Sequence, residues 1–431
     1  MTLDENSVYV VDGSRSPFLK ARGEPGPFSA AELALATARP LLMRQPFPAE
    51  RLDEVILGCV NPAADEANIA RVVALRLGAG VETPAWTVQR NCASGLQAID
   101  SARESIASGR ASLALAGGVE TMSRAPLMWK PGLTRWLANW RRARSLTGKL
   151  RTLTRLRPRD LGPDIALLKG LSDQTTGLSM GQTAENLADR FGIDREQMDR
   201  YAVASHQRLD AAAQAGLLDE IETVFDARGH AFDHDDGLRR DSSLEKLARL
   251  KPVFDRKYGQ ITAGNSAQIT DGAAWVILAN AATIDALGLP VLGRIVDTQW
   301  AGLDPAEMGL GPVHAVTPML LRQRLGLADI DYWEINEAFA AQVLACLAAW
   351  RDDTYCRERF GLDQAMGEIP PDRLNIDGGG ISLGHPVGAS GARIVLHLLK
   401  ILERENARRG VATLCIGGGQ GGAILVERVA E

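Results

Sequence analysis

Cysteine is scarce in this chain. Five residues in 431 (Cys59, Cys92, Cys346, Cys356, Cys415) form no Cys-x-x-Cys pair. That excludes a disulfide-stapled mini-protein, and an odd, sparse set suits a reducing compartment. No apolar run reaches the roughly 18 residues a membrane-crossing helix needs, which excludes a polytopic membrane protein. No basic segment followed by an apolar core opens the chain, and there is no Arg-rich transit peptide. Val429-Ala430-Glu431 carries no targeting tripeptide or prenylation box. The expectation is a cytoplasmic protein. A chain 45% hydrophobic and 23% charged is also not disordered, and its length suits two or three domains.

Acidic residues are missing from one window. Between Arg124 and Arg159 there are eleven Lys/Arg and no Asp or Glu. The net charge of −5 therefore averages a +11 segment with a remainder of −16. No nucleic-acid partner is expected of so acidic a body.

What is present is a rhythm of short apolar runs and helical patterns. Val8–Val11, Val55–Leu57, Ala85–Val88 and Leu113–Ala116 read as strands, Asn68–Leu77 as an amphipathic helix, and a further helix runs from near Cys92 to Gly109. The last third repeats the pattern: strand Asp331–Ile335, a helix through Trp350, a helix from Gly384–Ser390 to about Leu402, and strand Thr413–Ile416. Cys92-Ala93-Ser94-Gly95 heads its helix much as Gly388-Ala389-Ser390-Gly391 heads its own. Gly117-Gly118 and Gly417-Gly418 follow the corresponding strands. A duplicated α/β domain is the economical reading. A helical polar stretch, 125–253, interrupts the first half, with Gly181–Leu218 its clearest piece. Strand character returns at Tyr258–Thr262 and Trp275–Ala279.

Cys92 stands where a strand turns into a helix, a position whose macrodipole favours thiolate. Cys59, Cys346 and Cys356 lack such placement and read as structural. A thiol nucleophile needs a base, and His385, in the turn Gly384-His385-Pro386, is the best-placed candidate. His206 and His397 read as helix-surface residues, and His314 as part of a Pro-rich loop. His230 and His234, with Asp233, Asp235 and Asp236, mimic metal-ligand spacing, but glycines bracket them and a solvated turn is the better reading; no metal is expected. Gly417-x-Gly419-x-x-Gly422 matches a dinucleotide fingerprint formally, yet Ala423–Val426 reads as another strand, so no βαβ unit fits. Those glycines instead let backbone N–H groups face a reacting oxygen beside Cys415. Asn336-Glu337-Ala338-Phe339, alone, reads as a capping Asn with an acid in the first helical turn.

In combination, Asn91-Cys92-Ala93-Ser94-Gly95, Gly264-Asn265 with Asp271-Gly272-Ala273-Ala274, Asn336-Glu337-Ala338-Phe339, Gly384-His385-Pro386 and Cys415 with its Gly-rich tail follow the order seen in thiolases. The chain resembles that family over nearly its whole length. Met180-Gly181-Gln182-Thr183-Ala184-Glu185-Asn186 resembles the family's loop-domain helix. The 125–175 insertion and the Phe339–Gly384 spacer resemble the trifunctional-enzyme β-subunit branch, which usually has His where this chain has Asn336. Ser179 stands where a His often precedes Met-Gly, and Asn265-Ser266-Ala267-Gln268 where thiolases commonly read Asn-Ala-Ser-Gly.

The resemblance implies a thiolase fold: duplicated βαβαβαββ halves in five αβαβα layers, with an inserted helical loop domain. The implied divisions are 1–124 plus 254–288, 125–253 as the insertion, and 289–431. It implies acyl transfer by Cys92, His385, Asn336 and Cys415, with 3-oxoacyl-CoA and coenzyme A as co-substrates and no permanently bound cofactor. Asn336 with His385, and the amides of Cys92 and Gly417, would form two oxyanion holes. Ser179, Met180, Asn265, Ser266, Ala267 and Met308 would contact CoA. A degradative 3-ketoacyl-CoA thiolase is expected; an acetoacetyl-CoA thiolase is the near alternative, and a non-catalytic acyl-CoA carrier a distant one. A homodimer or homotetramer is implied.

Within the basic segment, Leu133, Trp136, Leu137 and Trp140 recur at helical spacing, and Leu146, Leu150 and Leu153 continue it. That predicts a basic amphipathic helix, suited to an anionic membrane or a hydratase/dehydrogenase α-subunit. CoA phosphates and a solvated cationic face are the other readings.

Overall fold

The computed structural model describes residues 3–429; Ala430 and Glu431, part of the C-terminus read above, lie outside them. The first half contains β1 (Val8–Arg15), α1 (Ala30–Met43), β2 (Glu54–Gly58), α2 (Ile69–Leu77), β3 (Ala85–Val88), α3 (Ser94–Ala107) and β4 (Leu113–Thr121). The insertion carries α4 (Pro131–Arg142), α5 (Leu146–Leu153), α6 (Met180–Arg190) and α7 (Arg195–Gln214). Then come β5 (Thr270–Asn280), β6 (Gly293–Gly302), α8 (Gly311–Arg322), β7 (Tyr332–Ile335), α9 (Ala340–Arg351), α10 (Ser390–Arg404), β8 (Arg409–Ile416) and β9 (Gln420–Glu427).

Strand alternation shows the layers. In β5, Ala274, Val276 and Leu278 join a core around α3 and α10, while Ala273, Trp275 and Ile277 face α1 and α2. In β8, Ala412 and Leu414 face the same central helices, whereas Val411 and Cys415 face the core of α8 and α9. Side chains of period two thus point one face of each half at a shared pair of helices and the other at its own outer pair. The result is the αβαβα order.

The strand order is β7-β8-β9-β6-β1-β5-β4-β2-β3, with Leu19–Lys20 pairing β5. The two halves are hydrogen-bonded into one sheet where Val8–Val10 of β1 pairs antiparallel with Gly293–Ile295 of β6. β5 pairs with both β1 and β4, so strands on either side of the insertion lie together. The duplication is imperfect: the strand that would match β3 in the second half is a single bridge, Trp333 to Leu374. Tyr258–Thr262 is not a strand either. Its amides turn inward, with Gln260 and Ile261 donating to the Glu185 carboxylate at 3.0 and 2.9 Å.

The central helices cross on glycine. A Cβ on Gly95 would sit 2.9 Å from Gly388 O and Ala392 N, and one on Gly391 would collide with the backbone of Leu96. The two motif-bearing helix starts therefore touch backbone to backbone.

The basic segment forms two helices, not one. Ser145 caps α5 by accepting from Gly148 N at 3.1 Å, after α4 ends at Arg142. Trp136 Nε1 donates to Thr152 O at 2.7 Å and pins the pair, and Trp136 stacks on Trp140 at 5.5 Å. Leu133 is buried, whereas Leu146 (82% exposed), Leu127 (66%) and Leu150 (62%) stand open. Among the described residues, no helix is long and apolar enough to cross a membrane.

Candidate active site

The turn bearing Cys92 is built by short polar bonds. Ser94 Oγ accepts from Arg90 N at 2.9 Å and donates to Asn91 O at 2.7 Å. Asn91 takes φ +44°, a left-handed conformation that Asn tolerates. Its Nδ2 donates to Gly417 O at 2.8 Å, tying the turn to the tail behind Cys415. The amides of Gly417 and of Cys92 itself address the sulfur. Two N–H groups converging there suit an oxyanion on a carbon bonded to that sulfur.

Helix placement does not make Cys92 a resting thiolate. The helix begins at Ser94, and burial, with the Glu120 charge adding to it, pushes the thiol up to about 11. Desolvation outweighs the two amides that favour the anion. This corrects the expectation from the macrodipole.

His385 is buried, and its tautomer follows from its neighbours. Nδ1 lies 2.6 Å from Ser390 Oγ, whose hydroxyl donates to Pro386 O at 3.1 Å. A hydroxyl has one proton, so Ser390 accepts from Nδ1–H, and Nε2 carries the free lone pair. Burial, with Arg393 nearby, pushes the imidazole down to about 4, so it rests neutral. Arg393 is itself neutralised by Glu334 at 2.6 Å. Gly384 (φ +112°) reaches this turn only because it has no Cβ, which would strike the Thr270 side chain.

Asn336 lies at the end of β7, its N–H donating to Thr413 O at 3.0 Å. Its Nδ2 sits 3.4 Å from His385 Nε2, and its buried Oδ1 has no protein partner. An orphaned acceptor beside an imidazole can take a hydrogen bond from a water. The capping reading is corrected: α9 begins at Ala340, with Phe339 at its cap, so Asn336 caps nothing and Glu337 is not in the first turn. Cys415 ends β8, buried, and burial together with Cys92 and Cys346 pushes its thiol well up. It keeps its proton until a base takes it.

The expected CoA contacts divide. Met180 opens α6, and its Sδ lies 3.3 Å from where a Gly417 Cβ would be, within the site. Ser179 caps that helix, accepting from Gln182 N at 3.3 Å. Asn265, Ser266 and Ala267 run against the 338–340 segment: Ala267 N donates to Ala338 O at 3.0 Å and Ala340 N to Asn265 O at 2.9 Å. The Asn265 side chain faces inward to Asp199 at 2.9 Å, and Met308 is buried in the α8/α9 core.

Other histidines depart from the sequence reading. His397 is buried, not on a helix surface. It bonds Glu220 at 3.0 Å and Asp377 at 3.1 Å, in a chain with Arg15–Glu220, Arg15–Asp235 and Arg404–Asp377 that joins both halves to the insertion. Asp235 is thus buried against Arg15, not in a solvated turn. His206 is also buried, and its Nδ1 accepts from Arg239 N at 3.2 Å. His314 lies on α8 and meets Tyr355 OH at 2.9 Å. His230 and His234 are exposed beside Asp226 and Asp233, and among the described residues no group of three His, Cys, Asp or Glu could hold a metal. Sequence reasoning missed Ser390, Glu337 and Asn375 as parts of the site. Ser390 had left a signal in the repeated helix heading and Glu337 in the Asn336–Phe339 motif, whereas Asn375 had left none.

A half-buried thiol at Cys92 and a buried one at Cys415, both neutral, with a neutral imidazole and converging amides, define a thiol-dependent acyltransferase. Residues 8–282 match the thiolase N-terminal domain model, and 289–428 the thiolase C-terminal domain model. A 3-ketoacyl-CoA thiolase of Yersinia pestis (strain Pestoides F) is 38% identical over 99% of this chain and 98% of the relative. Human mitochondrial 3-ketoacyl-CoA thiolase in complex with CoA is 35% identical over 99% of both chains, with a TM-score of 0.82. Acetyl-CoA acetyltransferase of Bacillus anthracis is 33% identical over 99% and 100%, with a TM-score of 0.84. The chain belongs to the thiolase family.

Proposed function

We propose that this chain is a 3-ketoacyl-CoA thiolase, cleaving 3-oxoacyl-CoA with CoA into acetyl-CoA and a shortened acyl-CoA. The carrying observation is geometric: Asn91 Nδ2 ties the Cys92 turn to Gly417 O at 2.8 Å behind Cys415, and His385, held at Nδ1 by Ser390 at 2.6 Å, turns Nε2 toward Asn336 with its unpartnered Oδ1. His385 Nε2 takes the Cys92 proton as the sulfur attacks the 3-keto carbon. The C2–C3 bond then breaks, and the acetyl-CoA carbanion takes the Cys415 proton. The Cys415 thiolate next takes the proton of incoming CoA, whose sulfur attacks the acyl-Cys92 thioester. Cys92 leaves as thiolate and recovers its proton from His385.

The enolate oxygen of the cleavage step meets His385 and a water on Asn336, whose unpartnered Oδ1 supports that role. The tetrahedral oxygens on Cys92 meet the Cys92 and Gly417 amides. Ser179 and Met180 support a CoA path along the insertion. The same groups run condensation in reverse, which is the acetyl-CoA acetyltransferase alternative supported by the Bacillus neighbour.

The division that fits this reading is 1–124 plus 254–288, with 125–253 inserted, then 289–431. A cytoplasmic homodimer or homotetramer acting in fatty-acid β-oxidation is the corresponding setting. The basic helix pair suits peripheral attachment to an anionic membrane, because apolar side chains stand open among cations with no acid between Arg124 and Arg159.

The deciding experiment is Cys92→Ser assayed by loss of the 3-ketoacyl-CoA enolate absorbance. Thiolysis should vanish, and retained activity overturns the mechanism. Vesicle co-sedimentation tests the attachment: binding to anionic but not neutral vesicles, weakened by salt, is expected. Absence of binding at every salt concentration removes it.

A further inference from the structure

Asn336 is aimed almost entirely by its neighbours. Its side chain makes one hydrogen bond, long at 3.4 Å, so the backbone on either side decides where it points. On one side, Asn375 clamps Ile335: its Oδ1 accepts from Ile335 N at 2.9 Å, and its Nδ2 donates to Ile335 O at 2.8 Å. On the other side stands Glu337, 1% exposed and surrounded by donors.

Four bonds fill that carboxylate. Oε1 accepts from Tyr201 OH and from Asn375 Nδ2, both at 3.0 Å. Oε2 accepts from Ser205 Oγ at 2.7 Å and from Ile381 N at 3.2 Å. Tyr201 and Ser205 lie on α7 of the insertion, Asn375 is the Ile335 clamp, and Ile381 lies in the turn leading to His385. Burial and the Glu337 charge push the Tyr201 hydroxyl well up, so it remains a donor. Gly379 closes over the group, since its Cβ would lie 2.6 Å from the Glu337 carboxyl carbon. A buried carboxylate with every lone-pair direction used is a rigid node, and a neutral replacement leaves donors facing donors.

We propose that Glu337 is the positioning residue of Asn336: its carboxylate ties α7 and the Ile381 amide to the β7 end, whereas His385 is held separately by Ser390 Oγ and by Gln268 O, so Glu337 acts on carbon–carbon cleavage through Asn336 and not on acyl exchange at Cys92. The proposal rests on the thiolase reading, in which Asn336 serves the enolate oxygen while the Cys92 and Gly417 amides serve the thioester.

The experiment compares two reactions in Glu337→Gln, Asn336→Ala and the double variant. One is thiolysis of a 3-ketoacyl-CoA; the other is exchange of labelled CoA into an acyl-CoA, which needs acyl-Cys92 but no carbon–carbon step. Glu337→Gln should slow cleavage about tenfold or more while leaving exchange and the KM for CoA within about twofold. The double variant should be no slower than Asn336→Ala alone.

Equal losses in both reactions, unchanged cleavage, or a double variant that multiplies the single losses each overturn the proposal. Unchanged cleavage in Asn336→Ala instead overturns the mechanistic reading beneath it. Should Glu337→Gln fail to fold, Tyr201→Phe deletes one donor and leaves the carboxylate. It should lower cleavage about threefold or more without lowering exchange, and an equal loss in both, or no loss, overturns the proposal just as surely.

Discussion

Replacing Ser390 with alanine isolates the role of a fixed imidazole tautomer. The hydroxyl makes two contacts, 2.6 Å to His385 Nδ1 and 3.1 Å to Pro386 O. Its removal leaves a buried Nδ1–H without a partner, and the proton is then free to move to Nε2, where it blocks proton transfer from Cys92. A lost buried hydrogen bond of this kind costs about 1–3 kcal/mol. If the loss falls on the reacting state, kcat should drop about 5- to 150-fold, since about 1.36 kcal/mol is tenfold. The KM for CoA should change little, because Ser390 lies behind the ring. Thiolysis kinetics across pH, with a thermal melt as control, read the effect. A kcat within about twofold of wild type, in a protein melting at the wild-type temperature, refutes the tautomer argument.

Two further outcomes follow from the electrostatics. Because Cys92 is held near 11, its iodoacetamide labelling rate should keep climbing through pH 9 and 10; a plateau at or below pH 8 contradicts a desolvated thiol. His397 concerns stability instead. Burial opposes its charge, but Glu220 and Asp377 outweigh burial and hold it up at about 10. A raised histidine contributes fully below its unfolded value of about 6.5, and that contribution is lost as pH rises toward 10. The melting temperature should therefore decline across that interval, and His397→Gln should flatten the decline; a variant whose slope matches wild type shows that the ion chain is not its source.

The layered fold was legible because alternation and helix periodicity are local. The Trp275–Ala279 run follows from adjacent residues, and so does the strand after Gly422 that denied a nucleotide site; which side of β5 meets which helices does not, because every residue from Thr270 to Ala279 is buried. Cys92, His385 and Cys415 were legible through their positions at helix and strand ends. Their protonation was not, because burial is set by α3, α10 and the insertion together, and no window of sequence contains those. His397 illustrates the same limit: on a helical wheel it is one polar residue, and only the arrival of Glu220 and Asp377 from elsewhere makes it interior. Glu337 was misread for a related reason. Its partners lie 38 and 136 positions away in the chain, at Asn375 and Tyr201, beyond the reach of a capping argument.

The glycine crossing of α3 and α10 also sets a distance. Main chain meets main chain there, so the spacing between the nucleophile's turn and the imidazole's turn contains no side chain that could be swapped for another size. The separation of the two turns is therefore set by the main chain at Gly95 and Gly391, not by the insertion. Alanine at Gly95 or Gly391 would pry apart the chemistry itself.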